Sequence, residues 1–314
     1  CNNESFYADD DGKLPTEKRS GHLEKILVIG GGISGMEFAR VASLRGHEVT
    51  ILEKRMRTGG LSLLAATPPR RHDIAKLDRW LSHTCRELGV DIRLGCEADE
   101  AMLRAMASEY DRIVLACGCN KITLPFPVAP EAHVVHTWDV LENKAELGKN
   151  VVVVGGGATG VETAMFIAEI GTLTAEQLRF MMIFNAEPYD KLKQRLNTGS
   201  KHVSVVEMGH KFALDITPGC RWSIMARVKQ LGVGLYADSK VLEIKKDSVL
   251  IEGPDGKTEI ACDSVVIAAG AKPNGEFAEK LSDLTIPVSS IGDAVSIGKI
   301  PDAIRSAYKL AAEL

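Results

Sequence analysis

"ILVIGGGISGMEFA" (residues 26–39) and "VVVVGGGATGVETA" (residues 151–164) are near copies of one another, 125 positions apart in a chain of 314 residues. Each opens on four apolar residues, passes through three glycines and continues as a run that reads as a helix with small residues on one face. The pattern predicts strand, tight turn and helix in both places. The glycines fall as G-x-G-x-x-G, at Gly30, Gly32 and Gly35 and again at Gly155, Gly157 and Gly160. The first glycine permits the turn, the second lets a pyrophosphate approach the backbone, and the third lets helix and strand pack closely. The helix N-terminus then faces that pyrophosphate with free N–H groups and a partial positive charge. One such motif is weak, because glycines also mark βα turns that bind nothing. Two in the same context point to two dinucleotide sites.

An acidic residue at the end of the following strand strengthens each motif, since it accepts hydrogen bonds from an adenosine ribose. "HEVTILEK" (47–54) supplies Glu53, 23 residues after Gly30. "HVSVVEMG" (202–209) supplies Glu207, but 52 residues after Gly155, so the second unit carries an insertion. The alternative for either glutamate is a strand end in solvent.

Composition narrows the class. The chain has 45% hydrophobic residues, enough for two domains of ordinary size, and a net charge of −4. That balance provides no electrostatic footprint for nucleic acid or an anionic membrane. No apolar run approaches the ~18 residues that span a bilayer, and no charged-then-apolar leader opens the chain, so a cytoplasmic location is expected. Seven cysteines (Cys1, Cys85, Cys96, Cys117, Cys119, Cys220 and Cys262) are scattered without metal-site spacing, as reduced thiols are. No C-x-x-C pair exists, and no metal site is expected within the chain.

"RIVLACG" (112–118) and "SVVIAAG" (264–270) are β-rich runs that end in a small residue and glycine after each nucleotide-binding unit. "SSIGDAV" (289–295) puts Gly292 and Asp293 ahead of a helical C-terminal segment. Together these residues resemble the two-dinucleotide-binding-domain flavoproteins over nearly all of residues 24–314. The resemblance implies FAD contacts at Gly30, Gly32, Ile33, Ser34, Gly35, Glu53, Lys54, Gly60, Leu61, Ala116, Gly118, Gly292 and Asp293. It implies nicotinamide dinucleotide contacts at Gly155, Gly157, Ala158, Thr159, Gly160, Glu207 and Gly270. Glu207 favours NADH over NADPH, because a carboxylate repels a 2′-phosphate, and His210 and Lys211, which follow closely, oppose that preference.

A closer resemblance lies in "GGLSLLAATPPRRHDIAKLDRWL" (59–81), "VVHTWDVL" (134–141) and the insertion after Gly171. These are similar to the C-terminal FAD/NAD(P)-binding half of the bacterial 2,4-dienoyl-CoA reductase and 2-enoate reductase group of NADH:flavin oxidoreductases. In that group an N-terminal barrel carries FMN and substrate, and an iron–sulfur cluster follows it. The resemblance therefore implies a fragment whose partner is a missing FMN barrel. Cys1 then stands about where the last cluster ligand would be, although the family's following proline is absent; a cloning remnant and a lipoprotein's lipidated first residue are the other readings of Cys1. Two further departures are Leu61, where the family has glutamine after Gly59–Gly60, and Cys117, where Ala116-Cys117-Gly118 replaces A-T-G.

The expected architecture is α/β, with two Rossmann-like three-layer domains, the second inserted in the first. Residues 1–23 read as a linker, 24–130 and 272–314 as the FAD domain, and 131–271 as the nicotinamide domain. Within the latter, 171–202 read as a helical insertion, with capping-box spacing at Thr174 and Gln177 and Pro188 dividing two helices. That insertion is either a surface decoration or a face for the absent barrel. Hydride transfer needs only two rings held at contact distance, so no catalytic acid, base or nucleophile is named. Three functions compete: an electron-input module, a stand-alone disulfide reductase or NADH oxidase, and a non-catalytic ADP-binding scaffold.

Overall fold

The apolar tetrads that precede the two glycine turns lie at the centres of two separate parallel sheets. The computed structural model describes residues 13–17 and 19–314, so Cys1 and most of the expected linker lie outside the described residues. The chain forms β1 (Lys25–Ile29), α1 (Ile33–Leu44), β2 (Glu48–Glu53), α2 (Ser62–Ala65), α3 (Ile74–Glu87), β3 (Asp91–Leu94), α4 (Glu100–Met106), β4 (Arg112–Leu115) and β5 (Cys119–Lys121). It continues with β6 (Val134–His136), α5 (Thr137–Leu141), β7 (Asn150–Val154), α6 (Ala158–Ala168), α7 (Ala175–Ile183), α8 (Tyr189–Arg195), β8 (His202–Val206), α9 (Pro218–Gln230) and β9 (Gly234–Tyr236). Strands β10 (Lys240–Ile244), β11 (Ser248–Gly253), β12 (Gly256–Ala261) and β13 (Ser264–Ile267) precede a final stretch of β14 (Ala271–Pro273), α10 (Glu276–Lys280), β15 (Val288–Ser290) and α11 (Ile300–Glu313).

Two compact units result. The first comprises residues up to Ala66, His72–Lys121 and Ala271–Leu314; the second comprises Thr67–Arg71 and Ile122–Gly270. The division falls after Lys121, ahead of the expected 130, for a physical reason. Ile244 of β10 donates its N–H to the Pro127 carbonyl and accepts from the Ala129 N–H, and Leu124 and Phe126 pack on the β10–β12 core. Thr67–Arg71 joins the second unit, where Arg71 forms an ion pair with Glu162 of α6.

In the first unit the sheet order is β15-β4-β1-β2-β3, and every pairing is parallel. In the second it is β6-β13-β7-β8-β9, again all parallel. Both central strands carry a helix from their C-terminal end, as parallel crossovers require. A strand covered on both faces reads as an unbroken apolar run, and the burial follows from the two-residue period. Ile26 and Val28 pack with Met36, Phe38 and Tyr308 on one face, while Leu27 and Ile29 pack with Leu103 and Leu281 on the other. Each such fully buried side chain contributes about 1.5–3 kcal/mol.

The second unit repeats the arrangement with one change. Val151 and Val153 pack on α6 and α9 through Val161, Ile167 and Val228, whereas Val152 and Val154 pack on Val241, Ile244, Val249 and Ile251. That outer layer is the antiparallel sheet β10-β11-β12, not helices. The insertion forms α7 and α8. Thr174 Oγ1 accepts the Gln177 N–H at 3.2 Å and Gln177 Oε1 accepts the Thr174 N–H at 3.0 Å, and Pro188 caps the start of α8. Helix α7 buries none of its residues, and Phe180, Met182 and Ile183 stand exposed. Among the described residues no helix is long and apolar enough to cross a membrane.

Candidate functional site

What each glycine is for can be read from what a Cβ would meet there. At Gly30, whose φ is +111°, it would strike the Ala116 carbonyl oxygen, and at Gly35 it would strike the Gly30 carbonyl oxygen. These two glycines are demanded by the protein's own packing. Gly32 is not: its φ is −75°, and nothing lies within 4 Å of an added Cβ. The second unit repeats this. A Cβ on Gly155 would strike the Ala268 carbonyl and one on Gly160 the Gly155 carbonyl, whereas Gly157, with φ −67°, meets only the Asp215 carboxylate oxygens at 3.9 Å. Each middle glycine therefore keeps open a cradle that a Cβ would fill, at the first turn of α1 or α6. The residues present fit a bound pyrophosphate, held by N–H groups at a helix N-terminus.

Each acidic residue is wired to its own glycine turn. The buried Glu53 accepts from the Gly31 N–H at 2.7 Å through Oε2 and from the Arg55 N–H at 2.8 Å through Oε1. Glu207 accepts from the Gly156 N–H at 2.5 Å through Oε2 and from the Gly209 N–H at 2.7 Å through Oε1. Two N–H donors per carboxylate leave lone pairs for further donors. Next to Glu207, His210 is engaged by Asp238, with Nδ1 2.8 Å from Oδ2.

The first unit brings most of its expected residues together. Gly60 lies over Gly32, since its Cβ would be 3.2 Å from the Gly32 Cα, and the Gly59 N–H donates to the Gly31 carbonyl at 2.8 Å. Ile33 and Ser34 open α1, and a Cβ on Gly292 would come within 2.7 Å of Ser34 Oγ, which places the C-terminal Gly292–Asp293 pair against the same helix turn. The Gly292 N–H donates to Ser306 Oγ at 3.0 Å, and Asp293 Oδ1 accepts the Gly298 N–H at 3.0 Å. Burial pushes the Asp293 carboxyl above the usual carboxylate range, and that hydrogen bond offsets part of the rise. Ala116 is buried under the turn, and the Gly118 carbonyl accepts the Asn274 N–H at 3.1 Å. Leu61 caps α2 by its backbone alone. Lys54 pairs with Glu97 at 3.7 Å, largely in solvent. In the second unit Ala158 and Thr159 open α6, Thr159 exposed, and Gly270 is exposed with φ +97° at the end of the unit.

Two residues escape a motif search. Asp78 of α3 is buried beneath Gly59, with Oδ1 lacking a hydrogen-bond partner, and burial raises its pKa against the opposing hydrogen bond from Thr58. Asp215, in the loop between β8 and α9, accepts the Ala158 N–H at 2.8 Å. A signal for Asp215 was present in the sequence. Gly59 and Leu61 stand the sixth and eighth residues after Glu53, and Ala213 and Asp215 stand the sixth and eighth after Glu207. The six described cysteines are free, and burial pushes Cys85 up to about 12 and Cys117, Cys119 and Cys262 up to about 11. Among the described residues no group of three or more His, Cys, Asp or Glu side chains is placed to hold a metal ion.

Known proteins similar to this chain identify its family. A metal reductase of Desulforamulus reducens is 41% identical over 286 residues, covering 90% of this chain and 43% of that protein. A bilirubin reductase of Mediterraneibacter gnavus is 35% identical over 274 residues, covering 87% of this chain and 38% of the relative. A solved structure of a 2-naphthoyl-CoA reductase complex superposes with a TM-score of 0.82 at 27% identity, over 97% of this chain and 42% of that one. The chain thus spans less than half the length of these proteins, and the resemblance to the C-terminal half of the dienoyl-CoA and enoate reductase group holds. The family described as pyridine nucleotide-disulphide oxidoreductase matches residues 2–105 and 103–293. The chain belongs to that family of flavin- and pyridine-nucleotide-binding oxidoreductases.

Proposed function

We propose that this chain is the electron-input part of a larger flavin oxidoreductase: the first unit holds FAD, the second holds NADH, and electrons leave toward an iron–sulfur cluster and an FMN barrel that reduces an enoate or enoyl-CoA type substrate. The observation that carries the reading is the pair of open cradles at Gly32 and Gly157, each beside a carboxylate hydrogen-bonded to the turn. Neither middle glycine has a reason within the protein's own packing.

When bound, the two groups supply the hydride couple, and the protein's share is binding and orientation. Gly32 and the first turn of α1 receive the pyrophosphate of FAD, and Glu53 takes the adenosine ribose. Asp293 and Gly292, set against Ser34, line the same helix turn for the flavin's ribityl chain. In the second unit Gly157 and α6 receive the other pyrophosphate. Glu207 takes the ribose hydroxyls of NADH and disfavours the 2′-phosphate of NADPH. His210 offsets that preference little, because Asp238 already pairs with it. The thiols speak against a disulfide relay, since burial holds Cys117 and Cys119 at about 11, where the nucleophilic thiolate is scarce at neutral pH.

The test is steady-state turnover of the purified chain supplied with FAD and NADH. Ferricyanide reduction without enoate or enoyl-thioester reduction is expected. Turnover of an enoate, dienoyl-CoA or disulfide by this chain alone, at about 1 per second or faster, contradicts the proposal.

A further inference from the structure

The two glycine turns are completed by the same backbone hydrogen bond, yet the residues just beyond it differ in charge. In the first unit the Gly59 N–H donates to the Gly31 carbonyl at 2.8 Å, and in the second the Ala213 N–H donates to the Gly156 carbonyl at 2.7 Å. Two residues later the first unit has the apolar Leu61, and neither N-cap glycine, Gly32 of α1 or Gly157 of α6, supplies a side-chain cap of its own. At the matching place the second unit has Asp215, whose carboxylate accepts the Ala158 N–H, the first of α6, at 2.8 Å.

The loop that presents Asp215 is built to do so. Ala213 is fully buried and holds a left-handed backbone, φ +52°, a conformation that disfavours a residue with a Cβ. Phe212 and Ile216 anchor it on either side in the core of the unit, and Arg221 Nε donates to the Phe212 carbonyl at 2.8 Å. Leu214 and Asp215 between these anchors are exposed. A helix N-terminus stabilises one nearby anion through its free N–H groups and partial charge. A second anion at the same place meets both a donor already engaged and a like charge.

We propose that Asp215 is a built-in competitor for the pyrophosphate site of the second unit, satisfying the α6 N-terminus when no dinucleotide is bound and giving way when one binds. This rests on the reading of the second unit as a dinucleotide site. Asp215 thereby weakens binding of every ligand that brings a pyrophosphate to α6, whereas at the matching place in the first unit the described residues put the uncharged Leu61. Nucleotide exchange is favoured in the second unit and retention in the first, as a transient hydride donor and a resident acceptor require.

Isothermal titration calorimetry on the full chain loaded with FAD tests this, with ADP-ribose as the pyrophosphate probe and adenosine as the probe without one. Asp215→Asn keeps the side-chain shape, and Asp215→Ser keeps a neutral cap if the amide disturbs the loop. Both variants are expected to bind ADP-ribose about fivefold more tightly than the parent, the scale of one helix-capping interaction, with adenosine binding unchanged. ADP-ribose binding that is unchanged or weaker in both variants overturns the inference and leaves the dinucleotide reading standing. Equal tightening of ADP-ribose and adenosine overturns it too, since that marks a general loosening. Failure of parent and variants alike to bind ADP-ribose refutes the dinucleotide reading of the second unit itself.

Discussion

Replacing Gly32 and Gly35 by alanine, one at a time, separates what the fold needs from what a ligand needs. At Gly35 the new Cβ points into the Gly30 carbonyl, so helix α1 and strand β1 must move apart. Overpacking of this kind costs about 1–3 kcal/mol or more. At Gly32 the Cβ meets nothing within 4 Å, and φ −75° suits any residue. The stability change there is the small difference between two opposed effects. Loss of unfolded-state entropy favours alanine by about 0.4–1 kcal/mol, and the weaker helix-capping preference of alanine takes back a similar amount. Binding is another matter, because the methyl group fills the cradle and keeps a pyrophosphate from the first N–H groups of α1. Losing one charge-assisted hydrogen bond of about 1.5–3 kcal/mol weakens FAD binding by roughly ten- to a hundredfold. Thermal unfolding of the cofactor-free variants, paired with FAD titration by flavin fluorescence, measures both quantities. Gly32→Ala should unfold with the parent and bind FAD poorly, and Gly35→Ala should unfold early. Parent-like FAD affinity in Gly32→Ala refutes the assignment of the cradle.

Three further outcomes are expected from the same geometry. Glu207→Gln removes the charge that opposes a 2′-phosphate while keeping the hydroxyl-binding shape, so the preference for NADH over NADPH should narrow by about tenfold in flavin-reduction rate; an unchanged ratio removes Glu207 from cofactor choice. Burial raises the Asp78 carboxyl above its ordinary value of 3.8, so its contribution to stability is full below that value and is lost as pH rises through the higher folded value; Asp78→Asn should abolish that loss, and denaturant midpoints against pH report it. Among the described cysteines Cys220 is exposed, while Cys85, Cys117, Cys119 and Cys262 are held at about 11 or 12, so a maleimide at pH 7 should label Cys220 well ahead of those four, as peptide mass mapping would show.

The duplicated turns were legible because everything that defines them is local: an apolar tetrad, glycines at fixed offsets and a glutamate at the next strand end. The capping box at Thr174 and Gln177 was legible for the same reason. Features set by distant hydrogen bonds were not. Residues 122–130 belong to the second unit because Pro127 and Ala129 bond to Ile244, more than a hundred positions away. The β10–β12 layer had no local signature, because alternating strands such as "KVLEI" and "SVLIE" find their cover only once β7 and β13 are in place. Lys54 sits beside Glu53 in sequence, but the strand period sends successive side chains to opposite faces, and Lys54 pairs with Glu97 in solvent. Asp215 was visible as a residue but not as a cap, since its role depends on the Ala213 hydrogen bond that folds the loop back onto Gly156.

Whether one chain holds both halves of a hydride couple is decided by anaerobic titration of the FAD-loaded chain with NADH. The oxidised flavin absorption band should bleach with one equivalent of NADH per FAD, and Gly157→Val should slow the bleaching while leaving FAD content unchanged. A chain that binds FAD and NADH together but whose flavin stays oxidised is not the electron-input part of a flavin oxidoreductase.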